Sequence, residues 1–172
     1  MKWQLVDEKY LEYLRKFEPR IPNSHYGKEK IKPFFGTLFE IGELIYLSQV
    51  SSPKTKHEKM KNNADFVKII DSKNSRLLSV INLNYMFPAP KSETMPLDYD
   101  KMSTYREFQN EQAMVKYIIL LKKEISVIKG LSLEQKAEKL YRLRYEYPDS
   151  FISKRCLDFK RLEEYAVSWK LR

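Results

Sequence analysis

Two strand pairs are written into the first half of this chain. Phe34–Ile41 and Leu44–Val50, built from aromatic, aliphatic and β-branched residues, flank Gly42-Glu43 and predict a hairpin. Phe66–Ile70 and Leu77–Leu83 predict a second pair around the turn-forming Asp71-Ser72-Lys73-Asn74-Ser75. Strands in such number expose unpaired edges and one apolar face, so they must close on themselves or be covered by helices. The cover lies on either side in sequence. Asp7 is placed to cap a first helix with Tyr10, Leu14 and Phe17 on one face, ending at Pro19.

After Pro88 and Pro90 the apolar period lengthens to that of helices. Thr104-Tyr105-Arg106-Glu107 reads as a capping box opening a long helix with Met114, Tyr117, Ile118 and Leu121 in one stripe and Gly130 as its stop. Ser132-Leu133-Glu134-Gln135 opens another, closed by Pro148, and a last helix is expected around Leu157–Trp169. The class is therefore α+β, in a single domain over 1–172, since a chain of 172 residues has matter for one core. Its longest apolar runs fall far short of a membrane span.

Charge narrows the partner without naming it. There are 32 Lys+Arg against 23 Asp+Glu, a net +9 that attracts a polyanion. The single cysteine, Cys156, permits no internal disulfide, and the acidic Asp7-Glu8 interrupts any signal peptide, so a cytoplasmic location is expected. No histidine pair, paired carboxylate or Gly-rich loop has the spacing of a metal or nucleotide site, so no metal and no cofactor are expected.

The densest chemistry follows the first hairpin. Ser51-Ser52-Pro53-Lys54-Thr55-Lys56-His57 puts hydroxyl donors and ammonium groups where a phosphodiester would find them, and Pro53 stiffens the turn that aims them. Read alone, the segment also fits an ordinary turn before a solvated helix. His25 and His57 can each act as an acid or a base near neutrality, although both sit in polar loops. Between 26 and 34, Tyr26, Lys28, Lys30, Lys32 and Phe34 interleave rings with positive charge, a pattern that suits single-stranded RNA. Lys122, Lys123, Arg142, Arg144, Lys154 and Arg155 can extend a basic groove or form a solvated face.

Taken in order, the Tyr-Leu-Arg helix, Ile21-Pro22-Asn23-Ser24, Lys32-Pro33-Phe34-Phe35-Gly36, Ser51-Ser52-Pro53-Lys54, Ile81-Asn82-Leu83-Asn84-Tyr85-Met86 and Tyr105 give a wider pattern. It resembles the ToxN/AbiQ family of type III toxin–antitoxin endoribonucleases. The resemblance implies a compact twisted antiparallel β-barrel of the MazF/Kid toxin type with peripheral helices. It also implies a metal-independent, sequence-specific ribonuclease of phage abortive infection, inhibited by a repeated small RNA pseudoknot with which it closes into a cyclic protein–RNA assembly. The implied catalytic residues are Tyr26, Lys32, Ser51, Ser52 and Lys54, with Lys30, Lys56, His57, Tyr105 and Arg106 contacting RNA. Lys56 stands where some relatives carry an aromatic residue. The alternative from another class is a non-catalytic basic RNA-binding module.

Overall fold

The computed structural model describes residues 1–25 and 31–171. Among these residues, eight strands form one antiparallel sheet: β1 (Lys2–Val6), β2 (Phe34–Gly36), β3 (Glu40–Ile41), β4 (Leu44–Ser51), β5 (Phe66–Ile70), β6 (Leu77–Asn82), β7 (Phe87–Pro90) and β8 (Thr94–Pro96). The hydrogen-bonded order is β5-β6-β4-β2-β1-β8, with β3 and β7 also paired to β4. This order ends at β5 and β8, and among the described residues no pairing joins those ends into a closed barrel. What the structure shows of the expected fold is the α+β class and the antiparallel sheet.

Strand β4 is the hub. Its first half takes β3 and β7, through Leu44↔Ile41, Leu44↔Pro90 and Leu47↔Phe87, and its second half takes β2 and β6, through Gln49↔Phe34 and Ser51↔Val80. Both expected pairings are present, although the expected Phe34–Ile41 strand is broken into β2 and β3. Gly42 turns the first at φ +56°, a left-handed conformation that glycine adopts without a Cβ clash. Gly36 is required for a different reason: a Cβ there would meet Leu47 Cδ2 at 2.3 Å.

Seven α-helices surround the sheet among the described residues: α1 (Glu8–Arg15), α2 (Thr55–Lys59), α3 (Met102–Tyr105), α4 (Glu111–Lys129), α5 (Leu133–Glu146), α6 (Phe151–Arg155) and α7 (Phe159–Lys170). Asp7 caps α1 as expected, its carboxylate accepting from the Tyr10 N–H at 3.0 Å. The capping box expected at Thr104–Glu107 does not form. Thr104 and Tyr105 end the short α3, Thr104 Oγ1 donates back to the Lys101 carbonyl, and Arg106 is extended. The long helix starts five residues later than Arg106, where Asn110 accepts from the Ala113 N–H. Ser132 precedes α5 in a left-handed conformation, φ 48°, that makes no side-chain cap. The last expected helix is present as the Asp158-capped α7, and extended Cys156 separates it from the short α6 before it.

Directional bonds fix the helices on the sheet. Trp3 Nε1 donates to the Leu121 carbonyl at 2.9 Å, joining β1 to α4. The Tyr10 hydroxyl donates to Pro88 O at 2.7 Å, joining α1 to β7. Tyr46 and Tyr141 both donate to Glu163, at 2.6 and 2.9 Å, tying β4, α5 and α7 together. The core between them is aromatic and fully buried at Tyr10, Phe34, Phe35, Tyr46, Phe87 and Phe159. No helix among the described residues is long and apolar enough to cross a membrane.

Candidate active site

The β2–β4 register brings together the two lysine-bearing segments. Phe35 faces Ser48 and Phe34 faces Gln49. That pairing ends at Phe34; Lys32 lies two residues before it, and Ser51, two residues beyond Gln49, pairs with Val80 of β6. Gln49 locks the arrangement from inside: its buried amide nitrogen donates to the carbonyls of Lys32 and Asn23, both at 2.9 Å. The Lys32 N–H in turn donates to Ser24 O at 2.7 Å. A side-chain amide that satisfies two loop carbonyls holds the 23–24 and 32 segments in one place.

Lys32 and Tyr105 line the same cavity, of about 240 Å³, with Ser24, His25 and Thr104 on its wall and Leu5, Phe34 and Met95 beneath. Tyr105 reaches it because α3 stops there. Its neighbour Arg106 lines a different hollow beside Ser103 and Asn110, with its guanidinium 4.7 Å from the ring centres of both Phe108 and Tyr117. Arg106 is thus packed between rings and does not share the Tyr105 cavity. Tyr117 links that stack back to the cleft, its hydroxyl donating to the Ile31 carbonyl at 2.7 Å.

From Ser51 the chain runs through exposed Ser52 and Pro53 to Lys54, which lines a groove of about 720 Å³ with Lys68, Arg76, Thr55 and Glu58. Lys54 is exposed at the start of α2, and Lys56 is exposed on it. His57 is not at the surface. It is 7% exposed, its ring lies against Phe66, and its Nδ1 accepts from the Lys54 N–H at 3.1 Å. Burial and the neighbouring Lys56, Lys54 and Lys68 charges depress its pKa, so the neutral ring serves as the acceptor that shapes the Lys54 turn. Tyr26 and Lys30 lie outside the described residues.

Two side chains near this site carry no local sequence signal. Glu124 of α4 is 3% exposed, and burial pushes its carboxyl up to about 7 against the opposing pull of Ser79 and Lys32. Glu8 of α1 stands at the rim of the cleft, where it accepts from Arg15 at 2.6 Å and from the Ser24 hydroxyl. Only the fold brings Glu124 to Lys32 and Glu8 to Ser24. Other candidates are committed elsewhere: Lys123 pairs with Asp71 at 3.1 Å, and Arg155 pairs with Asp65 at 2.7 Å. Cys156 is buried, which pushes its thiol up to about 12 and leaves no thiolate for attack. Among the described residues no three His, Cys, Asp or Glu side chains gather as a metal-binding group.

The family model of the ToxN toxin of type III toxin–antitoxin systems matches residues 2–167. The chain belongs to the ToxN toxin family. This ToxN-family chain is 32% identical over 105 residues to the endoribonuclease ToxN of Pectobacterium atrosepticum, a match spanning 59% of the chain and 61% of that relative. It is 25% identical over 176 residues to the endoribonuclease ToxN of Bacillus thuringiensis subsp. kurstaki, covering 99% and 85% of the two. To the endoribonuclease AbiQ of Lactococcus lactis subsp. lactis it is 26% identical over 183 residues, covering 97% and 88%.

Solved structures agree on the fold. One, from work on a processed non-coding RNA that regulates a bacterial antiviral system, superposes with TM-score 0.76 at 27% identity, over 96% of this chain and 97% of the other. The structure of AbiQ, a lactococcal anti-phage endoribonuclease of a type III toxin–antitoxin system, gives TM-score 0.80 at 22% identity over 99% and 98%. A third, of a type III toxin inhibited by a non-coding RNA pseudoknot, gives 0.79 at 22% identity over 99% and 98%.

Proposed function

We propose that this chain is an endoribonuclease toxin that cuts RNA at the Lys32–Ser51–Lys54 site, in the cytoplasm, and is silenced there by a repeated RNA pseudoknot that lies along the same basic surface in a cyclic assembly. The observation that carries this is the pinned loop: Gln49 of β4 holds the Lys32 backbone, and the same strand ends two residues on at Ser51. Positive charge and a short donor are thereby held at one strand end. That combination suits a phosphorane, whose equatorial oxygens gain charge as the reaction proceeds.

The substrate's own 2′-hydroxyl attacks the adjacent phosphorus, giving a 2′,3′-cyclic phosphate and a 5′-hydroxyl without a metal. DNA lacks that hydroxyl and is spared. Lys32 and Lys54 neutralise the phosphorane, Ser51 and Ser52 donate to its oxygens, and Tyr105, with Tyr26, provides ring surface for a base beside the cut. Lys30 and Lys56 hold flanking phosphates, and the groove of Lys54, Lys68 and Arg76 gives the strand a path away from the cut.

The purified chain is incubated with RNA in chelator. Cleavage leaving cyclic phosphate ends is expected, and Lys54→Ala or Ser52→Ala slows it by about 10²–10³-fold with the fold intact. Parent-like rates in both variants, or 3′-hydroxyl products, overturn the assignment. Salt-sensitive RNA binding with no scission by the parent chain identifies a binding module instead.

A further inference from the structure

We infer that His25, oriented by Glu8, is the general base that takes the proton from the attacking 2′-hydroxyl. This deepens the ribonuclease function proposed above and rests on it. The inference comes from a cluster assembled across the fold. Glu8 lies in the first turn of α1, while Ser24 and His25 lie in the loop that Gln49 and Lys32 fasten to the sheet. His25 Nδ1 is 2.9 Å from Ser24 Oγ and 3.2 Å from Glu8 Oε2, and Arg15 Nη2 donates to the other Glu8 oxygen at 2.6 Å.

Proton accounting decides the tautomer. Burial pushes the Glu8 pKa upward, but hydrogen bonds from Ser24, Arg15 and His25 outweigh it, so the group lies below its ordinary value and is a carboxylate at neutral pH. Ser24 has one hydroxyl proton, and it is given to Glu8. Both atoms facing Nδ1 are therefore acceptors, and Nδ1 must carry the hydrogen. In the neutral ring the lone pair is then on Nε2, which makes no hydrogen bond among the described residues.

Position completes the case. His25 forms a backbone bridge with Ile31, next to Lys32, and lines the cavity that Lys32 and Tyr105 share. An imidazole fixed by a carboxylate on one nitrogen and open on the other is the usual design of a proton acceptor. In the reaction the O2′–H bond breaks and its proton goes to Nε2 while the O2′–P bond forms. The P–O5′ bond breaks with its electron pair on O5′, which takes a proton from water, and the imidazolium returns its proton to the hydroxide left behind.

The test uses the full chain with an RNA substrate. His25→Ala lowers kcat by about 10²–10⁴-fold with KM and thermal midpoint unchanged, and added imidazole restores much of the loss. Glu8→Gln lowers kcat by a smaller factor, because the ring remains but loses its orienting charge. Parent-like cleavage by His25→Ala overturns the inference, and so does a slow His25→Ala that imidazole fails to rescue, since a structural histidine gives that result. In both cases the parent chain still cuts RNA and Lys54→Ala still cuts it about 10²–10³-fold more slowly. A parent chain that leaves RNA intact removes the ribonuclease function itself.

Discussion

The backbone N–H of Lys54 donates to His57 Nδ1 at 3.1 Å, and the His57 N–H returns a bond to the Lys54 carbonyl at 2.8 Å. This reciprocal pair fixes the turn from which Lys54 is presented. His57→Ala is expected to slow RNA cleavage while changing RNA affinity little, because the lysine charge remains but its position relaxes. Single-turnover rates alongside binding at matched salt check it.

The same pair is sensitive to acid. His57 is depressed, so the folded state binds fewer protons than the unfolded state below the ordinary histidine range. Its contribution is fully present above the unfolded value of about 6.5 and is lost as pH falls through the lower folded value. Denaturant midpoints of parent and His57→Ala are expected to converge between pH 7.5 and 4.5. A gap that stays constant over this range contradicts the role assigned to the neutral ring.

Glu124 gives the opposite slope. Its carboxyl is raised from 4.5 to about 7 by burial, so between those values the folded state holds a proton that the unfolded state has released. Stability from this group is full below about 4.5 and falls as pH rises through about 7, by up to about 3 kcal/mol. Glu124→Gln removes the slope. Relative to the parent it should gain stability on going from pH 5 to pH 8, measured by urea unfolding.

Gln49→Ala leaves the carbonyls of Asn23 and Lys32 without their buried donor. The expected cost is about 1–3 kcal/mol, from the penalty of an unsatisfied buried polar group. Cleavage should fall further than stability alone explains, since the Lys32 segment loses its fastening. Comparing rates at a temperature where both proteins are folded separates the two effects.

Arg155 answers a different question. Its Nη2 lies 2.8 and 2.7 Å from the two oxygens of Asp65, a carboxylate only 4% exposed at its side chain, and its guanidinium sits over Phe151. Arg155→Ala strands a buried charge, although the arginine itself is partly exposed, which reduces the loss to about 2 kcal/mol. A lowered thermal midpoint with RNA affinity unchanged identifies Arg155 as a brace between α6 and the sheet. Weaker RNA binding without a stability change places it in the groove.

The central strands were legible because their apolar runs end at strong turn residues, Gly42 on one side and Asp71–Ser75 on the other. Strand β7 was not, since Pro88 and Pro90 argue against a strand. It exists because, among the described residues, β7 pairs with β4 alone and its other edge needs no donors from proline. Thr104–Glu107 misled for a local reason: the Thr104 hydroxyl had a nearer acceptor in the Lys101 carbonyl. In the site, Ser51-Ser52-Pro53-Lys54 stood out by composition alone. Glu8 and Glu124 did not, because each acts on a residue far away in sequence and looks like a solvated charge in its own helix.

Strand β4 also sets a schedule. Ser51 receives its place only when β2 has been laid against one edge of the strand and β6, which begins at Leu77, against the other. Tyr105 arrives later still. Contacts so distant along the chain form slowly and late. A nascent copy emerging from the ribosome therefore carries Lys32, Ser51 and Lys54 before the strands that set their places have been made.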